Sequence, residues 1–167
     1  SYRILKKDCL DLPDKVYVKR YVELTDEQKN AYAQMKENAL ATLNGSSATA
    51  FNVLTQLIRL HQITCGHMAT DSHDIIDIKS NRLDELVQIL GENSGKVIIW
   101  ANYIYDINQI KKAVEKEFGE DSYCTYYGAT LAKDRQKCIN DFQDPNSPVR
   151  FFIGNTQTGG YGITLTA

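Results

Sequence analysis

What these 167 residues lack narrows them before any motif does. No apolar run approaches membrane-spanning length and no stretch reads as a signal peptide, so no membrane partner is expected. Excess positive charge is missing too. With a formal charge of -2 and a pI near 5.9, the chain has no surface to grip nucleic acid by bulk electrostatics. Its one basic stretch is the first twenty residues, where Arg3, Lys6, Lys7, Lys15, Lys19 and Arg20 face Asp8, Asp11 and Asp14. Cys9, Cys65, Cys124 and Cys138 form no C-x-x-C pair and read as reduced core thiols of an intracellular protein. Cys65-x-His67 with His61 lacks the two tight ligand pairs of a zinc site, so no metal is expected, and His61 reads as packing on a helix face.

Catalytic machinery is missing as well. No G-x-x-x-x-G-K-[ST] occurs: Gly154 and Gly159 have the spacing, but Gly160 stands where the phosphate-binding lysine belongs. No Ser/His/Asp, Cys/His or paired-carboxylate arrangement stands out, and Asp84-Glu85 sits in the first turn of a helix, where acids favour the dipole. No catalytic residue is expected within the chain.

What is present is an ordinary globular composition, 43% hydrophobic and 24% charged, enough for one domain with an appended subdomain. Lys15 to Leu24 alternates through Val16, Val18, Val22 and Leu24 and predicts a strand. Thr25-Asp-Glu-Gln28 spells a capping box, and Tyr32, Met35, Ala39, Leu40 and Leu43 extend the helix to a break at Asn44-Gly45-Ser46-Ser47. A second helix, from about Ala48 to Gly66, carries Phe51, Leu54, Leu57, Ile58 and His61 on one face, so a helical hairpin is expected over 25–67. Residues 68–80 read as a connector, and Leu83, Leu86, Val87 and Leu90 mark a short amphipathic helix.

From there the pattern changes. Val97-Ile98-Ile99-Trp100 is a continuous apolar run of the kind found in strands buried on both faces. A helix bearing Ile107, Ile110, Val114 and Phe118 follows, then a strand near 122–127, a helix bearing Leu131, Cys138, Ile139 and Phe142, and a strand from Val149 to Gly154. Crossovers of this length imply right-handed βαβ units and a parallel sheet sandwiched by helices. Ligands of such sheets bind at the carboxyl ends of the strands. Those ends are Ala101-Asn102, Gly128-Ala129-Thr130 and Asn155 to Gly162, all small or polar and suited to a phosphate-bearing ligand; Thr130 also reads as a helix cap. In the last cluster Gly159, Gly160 and Gly162 permit close backbone approach, and Asn155, Thr156, Gln157 and Thr158 supply uncharged donors and acceptors; a tight turn with spare glycines is the rival reading.

These blocks, in order, resemble the second RecA-like lobe of the Swi/Snf family of DNA-dependent ATPases, in helicase superfamily two. RILKKDCLDLPDK resembles the lobe-linking segment, VELTDEQKNAY the helix after it, and LIRLHQITCGH the arginine-containing helix. VIIWANY stands at the fourth helicase motif, YYGATLAKDRQKCINDF at the Gly-Thr-then-Arg block, and FIGNTQTGGYGITLTA at the fifth motif. The resemblance divides the chain into a linking segment and strand (1–24), the helical hairpin (25–67), the connector (68–80) and an incomplete RecA-like lobe (81–167).

The resemblance implies a motor lobe of an ATP-dependent translocase or helicase on double-stranded DNA. Thr156 is implied as a DNA phosphate contact, with Asn102 and Gln157 beside it; Gly128 and Thr130 would touch the tracking strand's backbone. Arg135 either holds a phosphate or anchors its helix. Gly159, Gly160 and Gly162 would approach nucleotide or the facing lobe. ATP and Mg²⁺ would be gripped by the first RecA-like lobe, and the sixth motif, with its arginines, would follow Ala167, so the 167 residues alone are expected to be inactive and without cofactor. The implied location is cytoplasmic in a bacterium or phage, nuclear in a eukaryote. Gln157-Thr158 replaces the family's usual Arg-Ala, Trp100-Ala101-Asn102 its Phe-Ser-Gln, and Thr164 a common asparagine. Two rivals are a non-catalytic RecA-like module for a protein partner or nucleic acid, and a small nucleotide-binding domain.

Overall fold

The computed structural model describes residues 15–43, 45–50, 52–160 and 163–166; the expectations that fall on 1–14, including Cys9, Arg3, Lys6 and Lys7, and on Phe51 and Gly162 lie outside the described residues. The capping box opens helix α1, Asp26–Asn38: Thr25 accepts from the Gln28 amide, and the Gln28 side chain accepts from the Thr25 backbone. Gln28 also reaches further. Fully buried, it donates through Nε2 to the carbonyls of Ile63 (2.9 Å) and Thr64 (3.3 Å), tying the start of α1 to the end of the next helix.

That next helix, α2, Val53–Cys65, starts on an Asn52 cap and ends at Gly66, whose φ of 92° and crowding by Ser80 both call for glycine. Between the helices the expected continuous pattern breaks. Ala39 turns left-handed (φ 52°), and Leu40–Leu43 (β1) pairs antiparallel with Ser46–Thr49 (β2) around Gly45. Ala41 and Ala48 oppose each other across this hairpin and are fully buried with Met35, Ile63 and Met68. The inward face of α2 also differs from the expected one: Ile63 is buried, whereas Leu54, Leu57 and Ile58 are exposed. A second small hairpin, His67–Ala69 (β3) with Ile75–Asp77 (β4), occupies most of the expected connector and contributes Met68 to the same core.

No strand forms over residues 15–25. Val16, Tyr17, Val18 and Tyr21 are exposed, and alternation without a neighbouring strand leaves the backbone unpaired. The segment is held instead by Arg20, whose guanidinium pairs with Glu85 (3.4 Å) and Glu92 (2.5 Å), and by Thr25 Oγ1, which donates to the Lys79 carbonyl.

The parallel sheet is as expected in kind. Helix α3, Arg82–Glu92, precedes β5, Val97–Ala101; α4, Ile104–Phe118, and a single 3-10 turn lead to β6, Tyr123–Tyr126; α5, Ala132–Gln143, leads to β7, Phe151–Asn155; the one-turn α6, Thr156–Gly159, follows. The strand order is β5-β7-β6, so the last strand lies in the centre and is buried throughout. Phe151 and Ile153 pack with Leu90, Ile107 and Val114 on one face, and Phe152 with Tyr126, Phe142 and Val149 on the other. The first strand is not buried on both faces as its unbroken apolar run suggests. As an edge strand it leaves Ile98 and Trp100 40% and 41% exposed, because α5 covers β6 and β7.

The cysteine expectation is corrected as well. Cys124 on β6 and Cys138 on α5 are joined by a disulfide, while Cys65 is a free, half-buried thiol. These two positions face each other because β6 and α5 pack through the cluster around Phe152. Among the described residues no helix is long and apolar enough to cross a membrane.

Candidate functional site

Asn155, the last residue of the central strand, builds the junction between two strand ends. Its side chain is buried; Nδ2 donates to the carbonyls of Ala101 (3.1 Å) and Asn102 (2.9 Å), and Oδ1 accepts from the Gln157 amide (2.8 Å). One amide thereby stitches β5 to β7 and starts α6 in the same step. The result is that Asn102, Thr156 and Gln157, all exposed, come together at one edge.

The glycines of this edge divide into two kinds. Gly154 and Gly159 lie against the indole of Trp100: a β-carbon would stand 2.7 Å from its Cζ3 at 154 and 2.8 Å from its Cη2 at 159. Gly159 is buried and makes room for Trp100. Gly160 is exposed, and a β-carbon there would meet the Thr156 carbonyl oxygen at 2.3 Å, the same oxygen that accepts its amide. Its φ of -71° is unstrained, so close approach and not handedness demands glycine.

At the end of β6, Thr130 folds back into its own turn. Its Oγ1 accepts from the Tyr127 amide (3.2 Å) and donates to the Thr125 carbonyl (3.3 Å), whereas the cap position of α5 belongs to Leu131; the expected helix cap is therefore a turn brace. Arg135 makes the contacts of an anchor to its own turn. Nε donates to the Thr130 carbonyl (2.9 Å), Nη2 to those of Tyr127 (3.2 Å) and Gly128 (3.1 Å), and the guanidinium lies 5.7 Å from the Tyr126 ring centroid. Gly128 is exposed, and a β-carbon on it would meet nothing within 4 Å, so no packing demand explains the glycine.

Trp100 and Asn102 also line a cavity of about 490 Å³ between the end of α2, the 77–84 segment and α4. Motif reading missed this seam. His61 Nδ1 lies 2.8 Å from the Tyr103 hydroxyl, buried His67 lies 3.4 Å from Asp106, and the Tyr105 hydroxyl donates to Asp77. Burial, with the Asp77 carboxylate adding to it, pushes the Tyr105 phenol up to about 12; burial likewise pushes the Cys65 thiol up. Among the described residues no group of three or more His, Cys, Asp or Glu is arranged to hold a metal. Asn155 had a visible signal, a polar amide directly after an apolar run, whereas the seam's residues are scattered over 61–106 and meet only through folding.

Comparison with known proteins agrees with this architecture. The helicase conserved C-terminal domain family matches residues 79–167. The putative ATP-dependent helicase/translocase YwqA of Bacillus subtilis is 29% identical over 95% of this chain and 18% of its own length. The Sulfolobus solfataricus SWI2/SNF2 ATPase core domain superposes with a TM-score of 0.68 at 29% identity, covering 96% of this chain and 34% of that one. Its core in complex with dsDNA gives 0.56 at 24% identity, covering 90% and 33%, a likeness of fold alone. The chain spans less than a quarter of the length of the curated relatives it matches. From its parallel sheet and the order of its strand-end loops through to these matches, the chain belongs to the helicase conserved C-terminal domain family, as a second RecA-like lobe of the Swi/Snf kind.

Proposed function

We propose that the chain is the C-terminal motor lobe of an ATP-dependent translocase or helicase on double-stranded DNA. The observation that carries this is the juxtaposition of Asn102, Thr156 and Gln157, exposed at one edge and held there by Asn155. Their amides and hydroxyl are uncharged hydrogen-bonding groups suited to phosphate oxygens, which position DNA without reading its bases. Gly128, with open space where a side chain would be, leaves the adjacent turn free for the same backbone. The helicase/translocase description of the Bacillus relative supports this reading.

For ATP the residues fit a supporting role. Gly160, exposed and without a side chain, admits close approach by a nucleotide or a facing lobe, but Gly160 itself occupies the position where a phosphate-binding lysine would stand. We therefore assign the grip on the triphosphate and Mg²⁺ to a first RecA-like lobe, with this lobe completing the site on closure. The bound nucleotide would supply the free energy of closure; this chain's residues orient the DNA backbone and couple Thr156 to Gly160 through the carbonyl of one and the amide of the other.

Phosphate release by the full-length protein, with and without double-stranded DNA, tests the proposal. DNA is expected to raise turnover, Thr156→Ala to lower that stimulation about tenfold, the loss of one charge-assisted contact, and the 167 residues alone to give none. DNA-independent turnover in the full-length protein would refute it.

A further inference from the structure

The Cys124–Cys138 bond closes the base of the turn that carries Gly128 and Thr130. The two residues are 14 apart in sequence with Cα atoms 5.4 Å apart, within the range a disulfide spans without moving backbone. Arg135, one helical turn before Cys138, holds the carbonyls of Tyr127, Gly128 and Thr130, so strand, turn and helix form one closed loop. The pair is not sealed in the core. Both cysteines line an open cleft of about 650 Å³ together with Thr130 and Leu131. Cys124 is half-buried, whereas Cys138 is 4% exposed among Tyr126, Phe142, Val149 and Phe152.

We propose that Cys124 and Cys138 are a reversible dithiol/disulfide pair that clamps the 127–130 turn when oxidised. The oxidant is a low-molecular-weight disulfide entering by the cleft. Its route favours a cationic one, because Glu120, Asp121, Asp134 and Asp141 line the cleft against Lys137 alone. The Cys124 thiol loses its proton and the thiolate attacks one sulfur of the disulfide RSSR, expelling RS⁻ and leaving a mixed disulfide. The Cys138 thiol then loses its proton, its thiolate attacks the Cys124 sulfur, and the second RS⁻ leaves. Two protons and two electrons pass to RSSR, giving two RSH; excess thiol runs the steps backwards.

The test uses the full-length protein equilibrated with dithiothreitol or with cystamine. Each cysteine is read by alkylation and peptide mass mapping, and the turn by amide hydrogen exchange. Cystamine is expected to link the Cys124 and Cys138 peptides, with the loss of two hydrogens, and to slow exchange over 127–131 about tenfold relative to the dithiol form. Cys124→Ala, and independently Cys124→Ser, are expected to remove that difference. Alkylatable Cys124 and Cys138 after cystamine, or equal exchange in the two states, would overturn the proposal; so would a difference that persists in both variants. The clamp is relevant to DNA only through the reading of the turn given above, but neither readout uses DNA, so the two ideas fail separately.

Discussion

The indole of Trp100 lies so close to Gly159 that a β-carbon on residue 159 would stand 2.8 Å from its Cη2 and 2.9 Å from its Cζ3. A half-exposed tryptophan on an edge strand therefore sets the shape of the loop that ends the central strand. Gly159→Ala is expected to destabilise the chain by about 1–3 kcal/mol through overpacking. In a Trp100→Ala background the same substitution should cost less than about 1 kcal/mol. Urea unfolding of the four variants gives the coupling, and equal costs in both backgrounds would contradict the contact.

Asn155 satisfies two carbonyls and one amide from a buried position. Asn155→Ala leaves those groups without partners and is expected to cost about 2–3 kcal/mol. Asn155→Asp keeps the volume but turns a carboxylate oxygen toward the Ala101 and Asn102 carbonyls, so it should be at least as costly at neutral pH. An aspartate variant as stable as the parent would mean the Nδ2 bonds contribute nothing.

Arg135 is half-buried, and its donors end on carbonyls of its own turn. Arg135→Lys loses the fork that reaches all three and is expected to lower stability by about 1–2 kcal/mol. Arg135→Gln, which removes the charge, should leave the salt dependence of DNA affinity in the full-length protein unchanged. Loss of a direct phosphate contact would instead reduce the slope of log K against log salt by about one.

Alkaline pH should loosen the fold through two phenols. Tyr105, half-buried beside Asp77, and Tyr123, half-buried beside Glu115, are each pushed up to about 12. The unfolded chain releases these protons near 10, so above that pH the folded state holds more protons than the unfolded one and stability falls as pH rises. The contribution is fully present below about 10 and is lost between about 10 and 12. Urea midpoints at a series of pH values should show that decline, flatter in Tyr105→Phe and Tyr123→Phe; an undiminished slope in the double variant would contradict the assignment.

Much of the architecture was legible because it depends on local chemistry. The capping box at Thr25 and Gln28 is a contact between residues three apart, and it forms as written. Helical spacing of Ile107, Ile110 and Val114 places all three in the core for the same reason. The strands at 97–101 and 151–155 follow from unbroken apolar runs between breakers, and the resemblance to the family was carried by those strands and the loops behind them.

Other features answer to partners distant in sequence. Residues 15–24 alternate like a strand but find none beside them, and where a continued helix is expected Ala41 and Ala48 pair across a hairpin and pack against Met35 and Ile63. The sequence by itself determined that the chain is a parallel α/β lobe with polar, glycine-rich strand ends and no phosphate-binding lysine, since periodicity, residue type and short motifs are properties of neighbours along the chain. Only the tertiary structure decided which residues those ends commit to packing and which they leave free: Gly159 goes beneath Trp100, Arg135 turns inward onto its own turn, Cys124 meets Cys138, and Asn102 and Thr156 remain exposed. Each of these outcomes depends on which strand lies in the centre of the sheet and which at its edge, a matter of long-range packing that no local pattern records.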